Sequence, residues 1–165
     1  MRKELLMTLN THTPDVERWL SAHGWSPGRD IGERADELVS LRVRGAAEQG
    51  SPLTPSAAAV RVIRSYGGLE LPYPGGEPKM TLMMDPTIGF RGDARQIAEL
   101  AEQLGSELFP VAFETYENGV WLVDGTGRFF YLHHTGGYFL GQNEFEAFAN
   151  ALSGDTLADA EDYFV

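Results

Sequence analysis

Residues 108–140 read LFPVAFETYENGVWLVDGTGRFFYLHHTGGYFL, a run dense in β-branched and aromatic residues and interrupted only where glycine lets the chain reverse. Asn118-Gly119, Asp124-Gly125 with Gly127, and Gly136-Gly137 mark the reversals. Loops this short join only antiparallel neighbours, so the run predicts an antiparallel β-meander of about four strands. In its first strand Val111, Phe113 and Thr115 alternate with Ala112, Glu114 and Tyr116. That alternation predicts one covered sheet face and one partly open face.

Outside the run, the sequence reads as helices that need an apolar sheet face to cover. Thr13-Pro14-Asp15 opens the first, over residues 14–23, with Val16, Trp19 and Leu20 on one side. A second is expected over 35–49, with Leu38, Leu41 and Ala46 inward and Arg42 and Arg44 outward. A third, over 55–66, starts from a Thr54-Pro55 cap and stops at Gly67-Gly68. Asp93 caps a fourth over 93–104, whose stripe is Ile97, Leu100, Ala101 and Leu104. Asn143 and Glu146 have capping-box spacing and open a fifth over 143–152, expected to bury Phe145, Phe148, Ala149 and Leu152. Lys79 to Met84 reads as a strand, whereas Leu69 to Glu77 reads as turn-rich, with proline and glycine concentrated over Leu71 to Pro78. The expected core joins Trp121, Phe129, Tyr131 and Phe139 to Ile97, Leu100, Phe145 and Phe148. The fold class is α+β: helices packed on a small antiparallel sheet, one domain over 1–154, and an acidic tail over 155–165 expected to fray.

With 42% hydrophobic and 22% charged residues the composition is that of a globular chain. No apolar run approaches the roughly 20 residues of a membrane helix, and Met1-Arg2-Lys3 precedes too short an apolar stretch for a signal peptide, so the expected location is the cytoplasm. The net charge of −11 is divided unevenly. Residues 1–100 carry 12 Lys+Arg and 13 Asp+Glu, whereas residues 101–165 carry Arg128 against 11 acids, giving −1 and −10. A nucleic-acid backbone would be repelled by the second part. Acidity of this kind has two open readings, solubility alone or steering toward a basic partner.

No catalytic constellation is visible. Cysteine is absent, and there is neither a GxSxG elbow nor a phosphate-binding glycine loop, since the glycines at 67, 68, 75 and 76 lack a trailing Lys-Ser/Thr. His12, His23, His133 and His134 have no metal-ligand spacing, and His133 and His134, as strand neighbours, are expected to point to opposite faces. Glu114, Glu117, Asp124 and Glu144 form no catalytic dyad by any spacing argument. No catalytic residue, metal ligand or cofactor is assigned.

The order of motifs resembles the SUKH superfamily and, within it, the actinobacterial immunity-protein group numbered third. Trp25-Ser26-Pro27-Gly28-Arg29-Asp30-Ile31 follows the first helix, Tyr66-Gly67-Gly68-Leu69 ends the third, and Asp85-Pro86 follows the strand after it. Leu104-Gly105 then precedes Leu108-Phe109-Pro110-Val111, Asp124-Gly125-Thr126-Gly127-Arg128 precedes His133, and Leu140-Gly141 precedes the last helix. The resemblance implies an α+β fold and a protein that binds and neutralises a polymorphic toxin delivered between competing bacteria, often a nuclease or deaminase. It carries no catalytic residues, and it gives Gly67-Gly68 and Gly28-Arg29-Asp30 structural tasks, with Arg29 free to pair with a sheet carboxylate or a partner.

The partner expected on this reading is a basic toxin domain, met through Glu114, Tyr116, Glu117, Asp124, Tyr138 and Glu144, with neither nucleic acid nor membrane involved and the oligomeric state open. Two other classes stay open: a non-catalytic scaffold or signalling-type binding module of the same superfamily, and a small enzyme with an unrecognised site.

Overall fold

In the computed structural model, residues 15–165 are described, so His12 and the Thr13-Pro14 cap lie outside the described residues. The chain forms helix α1 over 15–22, α2 (Glu33–Glu48), α3 (Ala57–Tyr66), strands β1 (Glu70–Pro72) and β2 (Thr81–Met83), and α4 (Asp93–Leu104). Strands β3 (Leu108–Glu114), β4 (Gly119–Asp124), β5 (Phe129–His133) and β6 (Gly136–Gly141) follow, then α5 (Glu144–Ser153), β7 (Ala158–Asp159) and a 3₁₀ turn at Ala160–Tyr163. The strands make one 7-stranded sheet in chain order, each antiparallel to the next. The α+β expectation holds, and the sheet extends beyond the expected meander on both sides.

The reversals differ from the sequence reading in one instructive way. The positive φ angles of the β3–β4 loop belong to Tyr116 (φ 70) and Asn118 (φ 58), not to Gly119, which is already in β4. Gly119 is needed for another reason: a Cβ there would collide with the Tyr131 ring across the sheet. His134 and Thr135 form the β5–β6 turn, and Gly136-Gly137 open β6.

Both faces are covered at the sheet centre, where every residue of β4 is buried, and one face is partly open toward the end where Glu114, Tyr131, His133 and Tyr138 are half-buried. The register places Trp121 beside Tyr131, and on that face Phe148 of α5 packs on Trp121 at 5.6 Å, with Tyr66 of α3 and Trp19 of α1 against Phe148. The opposite face carries Val120, Leu132 and Gly137, and a Cβ at Gly137 would touch Leu100 of α4. The α4 stripe is therefore buried as expected, on the face away from Phe148. Phe145 is the exception in the expected core: it is 39% exposed, while Ala147 and Phe148 face inward.

Further differences concern charge and capping. Leu41 is exposed and Arg42 buried, because Ala35, Leu38, Arg42 and Ala46 lie on one helical face. Asp93 is not the cap of α4; Gly92 in the left-handed region holds that position, and the Asp93 carboxylate turns inward to Arg42. The α3 cap is Ser56, whose side chain accepts from the Ala59 N–H, two residues beyond the expected Thr54. The Asn143 cap is as expected, its side chain accepting from Glu146 N–H.

Around the third helix the quoted motifs act as a clamp. Trp25 stacks on Tyr66 at 6.0 Å, and the Arg29 guanidinium donates to the Ser65 and Gly67 carbonyls at 2.9 and 2.8 Å. Arg29 thus satisfies orphan carbonyls at a helix end, rather than a sheet carboxylate.

The tail does not fray. Tyr163 stacks on Phe139 at 4.2 Å, Ala160 is buried, and the Val165 N–H donates to the Gln103 carbonyl at 3.0 Å.

Candidate partner-binding surface

The β3–β4 loop and the β5–β6 turn lie at the same end of the sheet, because Glu114 pairs with Gly119 and His133 with Gly136. Side chains on strands here come into line across the face. The Tyr73 hydroxyl donates to Glu114 Oε2 at 2.6 Å, and the Tyr131 hydroxyl donates to Glu114 Oε1 at 2.9 Å. The Tyr131 ring stacks on His133 at 5.8 Å, and His133 Nε2 meets Glu117 Oε2 at 2.8 Å. His133 Nδ1 meets the Thr135 hydroxyl at 2.8 Å, which in turn bonds the Tyr138 hydroxyl at 2.7 Å. The result is a continuous polar and aromatic strip from β1 to β6.

The carboxylate is fixed by that strip. Burial, and then the nearby Glu114 charge, push the Tyr73 and Tyr131 phenols well above the ordinary tyrosine range. Both remain donors at any physiological pH. At the loop tip Tyr116 is 62% exposed on a left-handed backbone, a conformation uncommon for a non-glycine residue.

Glu114, Tyr116, Glu117 and Tyr138 are thus brought together. Asp124 and Glu144 are at the other end of the sheet, where Phe129 pairs with Gly141. Asp124 is also fully buried: its carboxylate accepts from the Thr126 and Arg128 backbone N–H groups and from the Arg128 guanidinium at 2.7 Å. It holds the β4–β5 turn. Glu144, half-buried, pairs with Arg61 at 3.0 Å.

Sequence reasoning missed Tyr73, Tyr131 and His133 as members of this group. The period-2 spacing of Tyr131 and His133 is a visible signal. Tyr73 gave none, since the strand it follows was hidden by prolines. His133 and His134 do not point apart: their ring centroids are 3.9 Å from each other because His134 has left the strand. Among the described residues no group of three or more His, Cys, Asp or Glu could hold a metal ion, and no helix is long and apolar enough to cross a membrane.

Comparison with curated proteins and with solved structures finds no match. Comparison with protein families matches residues 12–154 to the SUKH-3 immunity protein. That span takes in the clamp, the sheet from β1 to β6 and the strip across it, and the chain belongs to the SUKH-3 immunity protein family.

Proposed function

We propose that the protein neutralises a cognate toxin by direct contact in the cytoplasm, covering a basic toxin domain with the hairpin end of its sheet. The observation that carries this is Tyr116, a large aromatic held 62% exposed on a left-handed backbone, next to Glu117, whose carboxylate meets His133. Strained backbone at an exposed aromatic is characteristic of binding sites, and tyrosine is a frequent interface anchor. The −10 charge on residues 101–165 supports a basic partner, because a nuclease must be basic to hold its substrate and an acidic inhibitor gains association rate. No chemistry by this chain is required.

The test is reconstitution with the toxin domain encoded beside this chain. A stoichiometric complex that abolishes the toxin's activity is expected, with association that slows as salt rises. A toxin that stays active and uncomplexed at saturating concentrations of this protein would overturn the reading.

A further inference from the structure

Beside the strip, the sheet and the C-terminal end of α5 enclose a cleft of about 190 Å³, lined among others by Tyr73, Glu114, Trp121, Tyr131, Asn150 and Leu157. We infer that this cleft is a socket for an arginine side chain presented by the partner, an inference that rests on the toxin-binding reading above.

Its acidic wall residue nearest the strip is Glu114, bonded to both Tyr73 and Tyr131. An ionised carboxylate has about four acceptor sites. Tyr73 occupies one on Oε2 and Tyr131 one on Oε1, which leaves one on each oxygen. A guanidinium supplies a matching pair of parallel N–H donors, whereas an ammonium cannot make both bonds with the same fit. Flanking the carboxylate are the rings of Tyr73 and Tyr131, surfaces on which a guanidinium plane stacks.

The charge balance points the same way. Among the described residues no Lys, Arg or His lines the cleft and no basic side chain pairs with Glu114. Asp155 stands on the rim, directly after Gly154, the left-handed cap of α5. The helix therefore directs its partial negative end toward the cleft, which favours a cation. The socket is also prepared in advance. Tyr73 stacks on Trp19 at 5.7 Å, and the Trp19 indole donates to the Pro72 carbonyl at 2.8 Å. Little side-chain freedom is left to lose when a guest enters. Through Glu114, Tyr131 and His133 the cleft continues into the strip that carries Glu117.

The experiment is an NMR titration of the isotope-labelled full chain with N-acetyl-arginine methylamide, beside its citrulline and lysine counterparts and spermidine. Saturable shifts of the Trp121 indole and of the Glu114 and Tyr131 amides are expected with the arginine probe. The citrulline probe, equal in shape but uncharged, should bind at least about tenfold more weakly, a difference of one charge-assisted pair. Glu114→Gln should abolish the shifts, and so should Ala151→Phe, which fills the cleft without altering its carboxylate. No saturable shift with the arginine probe, equal binding of citrulline, or binding by either variant as by the wild type overturns the socket. Tighter binding of spermidine than of the arginine probe also overturns it, in favour of a small polycation. None of these outcomes depends on a toxin. In the reconstituted complex, Ala151→Phe should weaken toxin affinity at least about tenfold. Unchanged affinity would overturn the socket while leaving the toxin-binding reading standing.

Discussion

Arg42 Nη2 donates to Asp93 Oδ2 at 2.8 Å with the two side chains only 5% and 0% exposed, tying the middle of α2 to the first turn of α4. The pair is isolated: Arg42 Nε and Asp93 Oδ1 are buried with no hydrogen-bond partner among the described residues. Removing one member strands the other charge in the interior. Arg42→Met is therefore expected to cost about 3–5 kcal/mol, read by urea unfolding. Combining it with Asp93→Leu should recover most of that loss, since an apolar pair of similar volume is often as stable as a buried ion pair. A single variant as stable as the wild type would contradict this assignment.

That pair also shows what the sequence could and could not convey. The 3.6-residue period placed Arg42 on the same stripe as Leu38 and Ala46, but its charge argued for the surface, and its partner lies 51 residues away. The central strands were legible because β-branched and aromatic runs broken by glycine allow little else. Strand β1 was not, because Pro72 reads as a turn; proline is tolerated there since β1 is an edge strand among the described residues. Of the candidate surface, Glu114 and Glu117 are legible from the acidic charge of residues 101–165, and Tyr116 and Tyr138 from residue type. Asp124 was indistinguishable from them in sequence, and only its turn geometry reveals a buried acceptor.

The Asp124 carboxylate receives several hydrogen bonds, among them the Arg128 guanidinium, so its loss leaves buried donors unmet. Asp124→Ala is expected to destabilise by about 3 kcal/mol. Thermal and denaturant unfolding test this, and toxin affinity per folded molecule should not change.

The C-terminal turn is a structural part of the sheet edge. Tyr163 covers Phe139 and meets Phe130 edge-on at 6.1 Å, while Arg128 lies over both Phe130 and Tyr163. Tyr163→Ala should cost about 2 kcal/mol, reflecting an aromatic side chain that is only half-buried. Unchanged stability after this substitution would mean that the tail does not hold in solution.

Stability should fall on the alkaline side. Burial raises the pKa of Tyr66 to about 12, with the Glu144 charge adding to the shift, and burial followed by Glu114 raises Tyr73 and Tyr131. In the unfolded chain these phenols ionise near pH 10. The folded chain then binds more protons than the unfolded one, so the contribution is complete below about pH 10 and is lost as pH rises through and above it. Tyr131→Phe and Tyr73→Phe should each flatten that decline, measured by urea unfolding at pH values from about 8 to 11.

The central claim is that the hairpin end of the sheet meets the toxin, and stopped-flow association at low salt tests it most directly. Tyr116→Ala with Glu117→Lys removes the exposed ring and reverses the adjacent charge, while Glu144→Lys changes charge equally per site at the opposite end. The account predicts that the hairpin variant associates at least about tenfold more slowly and binds more weakly, while Glu144→Lys stays within about threefold of the wild type. Equal rates and affinities for the hairpin variant and the wild type would contradict it.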